Sequence, residues 1–303
     1  MKAAGVVAIF GPTASGKTAV AEVLADRTGG EVVSADSMQV YRGVPILTAQ
    51  PARPTRLISI WPLSHEASVA EYARLAHAAI DALLADGRLP IVAGGTGLYL
   101  RAALAELALP PAPLPGARER WQRLYDAEGP GRALELLAER DPAAASAVHA
   151  NDRRRVVRAL ELAEAGASLR PAHNRLWTEE TRQPTIVFGL EVASELLERR
   201  IAERARAMVE AGAAEEAREA LCGPLSSTAR HIHGLRDLAE LESGEGLDAL
   251  ILRTRRYAAY QRKWMRRISG LVSVDANRPA GEVADEILEV AGARQLVRRR
   301  RAE

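Results

Sequence analysis

FGPTASGKT, residues 10–18, decides the fold, because eight of its residues match the pattern GxxxxGK(S/T). The apolar, β-branched run VVAIF (6–10) precedes it, and AVAEVLADRTGG (19–30) follows with helical spacing and a double-glycine stop. The order strand, glycine loop, helix predicts a phosphate-binding loop, in which main-chain amides at a helix N-terminus converge on anionic oxygens.

Two side chains of this loop suit phosphate chemistry. Lys17 is one of only three lysines among 41 basic residues, and its compact ammonium can point at phosphate oxygens. The Thr18 hydroxyl can reach a magnesium ion. A purely structural glycine turn is the alternative. The loop leaves the reaction open between a kinase or NTPase, a nucleotide-binding regulatory module and a transferase that releases diphosphate.

Composition describes an ordinary globular chain. It has 303 residues, of which 48% are hydrophobic, and a formal net charge of +2. No apolar run approaches the roughly 20 residues that span a bilayer, and MKAAGVVAIF leads into the glycine loop without a cleavage site, so we expect a cytoplasmic protein without membrane contact. Cys222 is the only cysteine, which excludes a disulfide framework or a cysteine zinc site within one chain. We expect a monomer.

Strands and helices alternate through the first hundred residues. EVVSADS (31–37), RLISI (56–60) and PIVAGG (90–95) read as strands, and residues 68–87 read as a helix that opens with a Ser68–Glu71 capping box. This alternation predicts a doubly wound parallel sheet with ligands at the carboxyl ends of its strands. Asp36 would then lie beside the loop, where it could hold magnesium, take a proton or merely cap a turn.

The proline-rich stretch LALPPAPLPG (107–116) marks a boundary, because it can continue neither a helix nor a central strand. Sequence to about residue 182 reads as helical, TIVFGLEV (185–192) as a returning strand, and everything from Ser194 onward as helical again. We therefore predict an α/β protein with a P-loop NTPase-like core. Its first part covers residues 1–110, an all-helical insertion 111–184, and the return to the core with basic C-terminal helices 185–303.

The positive charge is concentrated locally. Residues 253–267 hold seven basic residues and no acidic one, and Arg154 and Arg158 lie four apart on a predicted helix. A polyanion such as RNA fits this distribution, although most basic runs are simply solvated faces. The recurring aromatics of 257–271 are interpreted as packing, and His231 and His233 as surface or loop residues.

Five segments together carry a family likeness. GPTASGKT (11–18), SADSMQVYRG (34–43), GGTGLYLRA (94–102), NDRRRVVRALE (151–161) and TRRYAAYQRKWMRR (254–267) resemble the bacterial tRNA dimethylallyltransferases in order and separation. The resemblance implies transfer of a dimethylallyl group from its diphosphate to the exocyclic amine of the adenosine 3′ of the anticodon. It implies Mg²⁺ as cofactor, and tRNA, gripped at its anticodon stem-loop by the helical insertion, as partner. A kinase acting on a small nucleotide or metabolite is the alternative, and an RNA-binding module with a vestigial loop a third.

The resemblance also assigns residues. Asp36 becomes the general base, with Lys17, Thr18 and Thr96 as further catalytic residues and Thr18 as the magnesium ligand. The residues that it implies for binding the prenyl diphosphate are Gly11, Pro12, Thr13, Ala14, Ser15, Gly16, Lys17 and Thr18. Those that it implies for binding the tRNA are Asp36, Ser37, Met38, Gln39, Thr96, Arg101, Arg118, Arg154, Arg155, Val156, Val157, Arg158 and Arg230. The sequence departs from the family pattern at ILTAQP (46–51), where Leu47 replaces a glycine and Gln50 a lysine.

Overall fold

The computed structural model describes residues 5–111, 113–169, 175–240 and 245–293. Its strands are β1 Val6–Phe10, β2 Glu31–Ser34, β3 Pro90–Gly94, β4 Thr185–Glu191 and β5 Val272–Asp275. Its helices are α1 Lys17–Thr28, α2 Val69–Ala85, α3 Gly97–Leu104, α4 Ala117–Arg140, α5 Pro142–Ala145, α6 Arg153–Glu164, α7 Ser194–Glu210, α8 Ala213–Cys222, α9 Leu235–Ala239, α10 Glu245–Met265 and α11 Ala280–Ala293.

All five strands are parallel and lie in the order β2-β3-β1-β4-β5. The central strand β1 is buried along its whole length, as its β-branched residues require in a sheet covered on both faces. Helices α1, α7 and α11 contribute to the core around it. The predicted parallel α/β core is confirmed, and the carboxyl ends of β1, β2 and β3 lie side by side.

Two expectations about strands were wrong. Residues 56–60 form no strand; only the isolated bridges Val33↔Arg56 and Tyr41↔Trp61 occur there. Leu57 and Ser59 adopt positive φ angles of 65° and 54°, which a strand cannot contain. Conversely, β5 interrupts the stretch after Ser194 that had been expected to be helical throughout. Its four residues, VSVD, give too short an alternation to stand out.

The chain divides into two compact units. Unit 1 comprises Met1–Glu106 and Leu176–Glu303, and unit 2 comprises Leu107–Arg175. The predicted boundary at residue 184 differs because residues 176–183 are tied to unit 1. Arg182 donates from its main-chain nitrogen to the Leu104 carbonyl (2.8 Å) and pairs with Asp81 (2.9 Å) and Glu106 (2.7 Å).

Unit 2 is helical, as predicted for the insertion, and is built from α4, α5 and α6 around a small core of its own. The helix α4 is interrupted at Gly129, which has a non-helical φ of 84° and stands directly before Pro130. In the part of the chain that the structure describes, no helix is both long enough and apolar enough to span a membrane.

Candidate active site

The predicted phosphate-binding loop connects β1 to α1. Its tight path needs glycine at two places: Gly16 has φ 90°, and a Cβ on Gly11 would stand 2.9 Å from the Ser15 hydroxyl. Ser15 is only 2% exposed, and its hydroxyl has no hydrogen-bond partner in the described residues. A buried hydroxyl without a partner is costly, so this loop fits an external oxygen ligand such as a phosphate.

Two cations stand at the loop. Lys17 donates from Nζ to the Pro12 carbonyl (2.7 Å), and withdrawal from water lowers the pKa of its amine to about 7, despite the opposing field of Asp36. Arg204 of α7 donates from Nη1 to the Thr13 hydroxyl (3.1 Å), and burial lowers the pKa of its guanidinium also. The charge of both groups is poorly solvated, so an anion placed between them would be bound strongly.

Asp36 follows the end of β2 by two residues and lines a cavity together with Lys17 and Thr18. Its Oδ1 accepts a hydrogen bond from the Met38 amide (2.9 Å), which is the turn-capping role considered from sequence. Among the described residues no hydrogen bond engages Oδ2. The carboxylate therefore has one oxygen that holds its own turn and one available to a ligand.

Thr96 joins two of the loops that the sequence singled out. It stands before α3 without capping it, because its Oγ1 instead accepts from the Ser37 amide (3.1 Å) and lies 3.2 Å from the Ser37 hydroxyl. Gln39 lines the cavity, but its side-chain amide is already engaged. Its Oε1 accepts from Ser34 (2.8 Å), and its Nε2 donates to the carbonyls of Thr48 (3.3 Å) and Ala49 (3.1 Å).

The cavity beside Asp36 measures about 110 Å³. Its wall is apolar on the side formed by residues 47–49, by α7, by the turn before α9 and by α10, which contribute Leu47, Ala49, Ile201, Ala205, Met208, Ile232 and Leu250. A larger cavity of about 510 Å³ shares Lys17, Thr18 and Arg204 with it and carries the arginines Arg200 and Arg278. Cationic groups of the loop and of α7 thus line both cavities, whereas the apolar wall lines only one.

Four cavity residues escaped the sequence reasoning: Arg204, His233, Tyr257 and Gln261. Tyr257 had been interpreted as packing, but it lines the cavity, and its ring contacts that of His233 at a tilt of 43° with ring centroids 4.4 Å apart. Burial lowers the pKa of His233 and raises that of Tyr257, so both rings are neutral near neutral pH. Tyr257 and Gln261 are four residues apart, and this spacing was the sequence signal that could have placed them on one face of a helix. Trp264 does pack, against Gly97 and Trp177.

Several predicted tRNA contacts are placed otherwise. Arg101 is 3% exposed and donates to the carbonyls of Leu176 (3.0 Å) and Glu180 (3.2 Å), so its guanidinium holds the chain after unit 2. Val156 and Val157 are buried in the core of unit 2, since they lie on the inner face of α6. These three side chains therefore have structural roles in the protein, and their assignment to RNA contact stays a prediction.

The remaining arginines differ in whether they are paired with a carboxylate or exposed to solvent. Arg118 and Arg158 both donate to the buried carboxylate of Glu161, at 2.9 and 2.8 Å. Arg154 and Arg155 are exposed on α6, and no ion pair to either occurs among the described residues. Arg230 is exposed on the short 3-10 turn Ala229–His231 of unit 1. The free positive charge of unit 2 therefore includes Arg154 and Arg155.

A magnesium ion would find few protein ligands here. Within the described residues, no three His, Cys, Asp or Glu side chains gather into a metal site. Magnesium commonly binds one or two protein oxygens and completes its shell with phosphate oxygens and water. Thr18, exposed at the end of the loop, and Asp36, in the same cavity, are donors of the required kind.

Fold and site together define the class: a P-loop protein whose phosphate-binding loop shares a small, partly apolar cavity with a carboxylate. Family models agree with this class, since IPP transferase matches residues 39–268 and isopentenyl transferase matches residues 4–56. The chain belongs to the IPP transferase family, which is the family of the tRNA dimethylallyltransferases.

Individual relatives are similar over nearly their whole length. A tRNA dimethylallyltransferase of Corynebacterium jeikeium is 39% identical over 286 residues, covering 90% of this chain and 92% of the relative. One of Streptomyces coelicolor is 42% identical over 275 residues, covering 86% and 87%. The crystal structure of a tRNA isopentenylpyrophosphate transferase from Bacillus halodurans superposes with a TM-score of 0.68 at 31% identity, covering 96% of each chain. A eukaryotic dimethylallyltransferase acting on tRNA shares the fold, with a TM-score of 0.78 at 23% identity over 99% of this chain and 82% of its own.

Proposed function

We propose that this chain is a tRNA dimethylallyltransferase. It transfers a dimethylallyl group from dimethylallyl diphosphate to the exocyclic amine of the adenosine 3′ of the anticodon and releases diphosphate. The observation that carries the proposal is the shared cavity: Asp36, the loop residues Lys17 and Thr18, and an apolar wall meet in about 110 Å³. A diphosphate, a short hydrocarbon and a proton acceptor are what this transfer brings together.

The diphosphate end is held by the loop. The main-chain amides of residues 16–18 and the unpartnered Ser15 hydroxyl donate to its oxygens, while Lys17 and Arg204 offset its charge. As the bond from the allylic carbon to oxygen breaks, the electron pair leaves with the diphosphate, and these donors stabilise the charge that develops. Magnesium, held by Thr18 and the diphosphate itself, would supply further charge stabilisation at that oxygen.

The acceptor end is organised by Asp36. An adenine amine is a weak nucleophile, because its lone pair is delocalised into the ring. As the nitrogen bonds to the allylic carbon, its proton passes to the carboxylate of Asp36. Ser37, Met38 and Thr96 shape the entrance for the base, which must leave its stack, a step that an anticodon loop makes easier than a duplex would.

Arg154, Arg155 and Arg230 offer exposed charge to the tRNA backbone. The substrate implies a cytoplasmic enzyme, and we expect it to act as a monomer.

A kinase for a small nucleotide or metabolite is the second candidate, since most loops of this pattern bind nucleoside triphosphates. To separate the two, the protein is incubated with unmodified tRNA, labelled dimethylallyl diphosphate and Mg²⁺. The transferase labels tRNA at the adenosine beside the anticodon. Absence of label, together with consumption of ATP in the presence of a small acceptor, would identify the kinase instead.

Asp36→Asn tests the base at the same time. Asparagine keeps an oxygen for the Met38 amide but accepts no proton in the reaction. The transfer rate should fall by about 10²- to 10⁴-fold, while tRNA binding, measured by filter retention, is kept. Asp26→Asn is the matched control, because Asp26 is exposed and only pairs with Arg53. Unchanged turnover in Asp36→Asn would remove Asp36 from the base role.

A further inference from the structure

Gln261 contacts both substrate-side loops at once. Its side chain on α10 is 2% exposed; Oε1 accepts from the Thr13 amide (2.7 Å) and Nε2 donates to the Gly95 carbonyl (2.8 Å). We propose that Gln261 is a positioning residue that fixes the distance between the diphosphate-binding loop and the acceptor-side segment 94–97. The inference rests on the proposed function, because that distance matters only if two substrates react across it.

On the donor side, Gln261 holds the first turn of the loop. The Thr13 amide lies before α1 and so has no partner within that helix, and the glutamine supplies one. The Thr13 hydroxyl is held separately by Arg204. One residue of the loop is thus fixed through its main chain by α10 and through its side chain by α7.

On the acceptor side, the contact leads toward Asp36. A side chain at position 95 would displace Gln261, since a Cβ on Gly95 would stand 2.2 Å from Gln261 Nε2. The next residue, Thr96, accepts from the Ser37 amide, and Ser37 follows Asp36 directly. A continuous path of hydrogen bonds and short main-chain steps therefore runs from the loop through Gln261 and Thr96 to the proposed base.

The sheet alone does not fix this geometry. The order β2-β3-β1 places the three strand ends side by side, but it leaves the loops beyond them free to move separately. The tie comes from outside the sheet, through the two hydrogen bonds that Gln261 of α10 makes to the Thr13 amide and the Gly95 carbonyl. Because Gln261 is buried, water does not compete for these bonds.

Gln261→Leu removes both hydrogen bonds at similar volume. Misplacing a reacting group by about 1 Å costs about 100-fold in rate, so we expect kcat to fall by about that factor with little change in the KM of either substrate. Asp248→Asn, exposed on the same helix, is the control and should react like the wild type. A Gln261→Leu enzyme with wild-type kcat would overturn the proposal, as would a loss of rate that merely follows its folded fraction by circular dichroism.

Gln261→Glu gives a signature that a merely structural role would not produce. The carboxylate still accepts from the Thr13 amide but repels the Gly95 carbonyl, whereas the protonated acid can donate to it again. Its rate relative to wild type should rise as the pH falls from about 8 to about 5.5. The titratable groups Lys17, Asp36, Arg204, His233 and Tyr257 face the same cavity in both proteins, so the ratio removes the effects they share. A ratio independent of pH would contradict the assignment.

The tie can also be judged without turnover. If wild-type protein fails to label tRNA, the proposed function is wrong, but the contact remains measurable by hydrogen exchange in the absence of substrate. Faster exchange of the amides of Thr13 and of residues 95–97 in Gln261→Leu would support the tie. Unchanged exchange at both segments would overturn it.

Discussion

In the absence of a ligand, the charged form of Lys17 is destabilised by burial. Its amine is shielded from water and bound to the Pro12 carbonyl, and the pKa falls from 10.5 to about 7. In the unfolded chain the same amine keeps its ordinary pKa. A diphosphate would restore the preference for the ammonium form, so the cost of burying this group is offset only in the complex.

The pKa shift predicts a pH-dependent effect of Lys17→Met on the metal-free, ligand-free protein. Between about pH 7 and 10.5 the unfolded wild-type chain binds more protons at this site than the folded one, so wild-type stability gains with rising pH. Methionine removes that gain. The free energy of unfolding of Lys17→Met minus that of wild type should therefore be larger near pH 6.5 than near pH 9.5, as measured by urea titration.

Lys263→Met provides the comparison, because Lys263 is an exposed lysine that also lies on a helix. Its difference from wild type should be the same at both pH values. If Lys17→Met behaved in the same pH-independent way, burial would not lower the pKa of Lys17, and the contribution of this lysine to anion binding would need another explanation.

At the level of elements, one carboxylate holds the first part of the loop 44–51. Glu216, in the first turn of α8, accepts from the amides of Ile46 (3.0 Å) and Leu47 (2.7 Å). Gln50 fastens the other end of the loop, since its Nε2 donates to the carbonyls of Gln39 (3.3 Å) and Tyr41 (2.9 Å). Gln50, which replaces a lysine of the family pattern, therefore holds this loop in place.

Glu216→Ala should loosen this loop. It leaves two amides without their acceptor, and the buried Leu47 loses its anchor, which should lower the free energy of unfolding by about 1–3 kcal/mol. Hydrogen exchange at residues 46 and 47 should accelerate, and transfer should slow because Thr48 and Ala49 support Gln39. Glu215→Ala is the matched control, exposed and paired only with Arg218 at 3.3 Å. Equal exchange in the two variants would show that the carboxylate does not hold the loop.

Elements differed in how well the sequence predicted them, for physical reasons. The segments β1, β3 and β4 carry long apolar runs, and α2 begins with Ser68 accepting from the Glu71 amide (3.1 Å), as the capping box indicated. Residues 56–60 have the composition of a strand, but two positive φ angles turn the chain instead. Tyr257 and Gln261 were missed because an aromatic stripe at helical spacing has the same pattern whether it faces a core or a cavity.

At the scale of the whole molecule, the net charge is only +2, but some arginines are paired with carboxylates and others are exposed and, among the residues that the structure describes, unpaired. In unit 2, Arg118 and Arg158 neutralise the buried Glu161, which is 1% exposed. Their loss would leave a buried carboxylate short of partners, a stability defect rather than a loss of RNA contact. Arg154 and Arg155 are exposed without an ion pair in the described residues, so they remain for a polyanion.

The double variant Arg154→Gln/Arg155→Gln should therefore weaken tRNA binding without destabilising unit 2. Each lost phosphate contact removes about 0.7–0.9 from the slope of log affinity against log salt, so the slope should become shallower by about 1.5. Binding is followed by fluorescence anisotropy between about 50 and 200 mM salt. Arg132→Gln is the control, since Arg132 is exposed in the same unit but surrounded by Glu128, Glu135 and Glu139. A slope unchanged from wild type would place the tRNA backbone on another surface, because the salt slope counts the phosphates that protein cations neutralise.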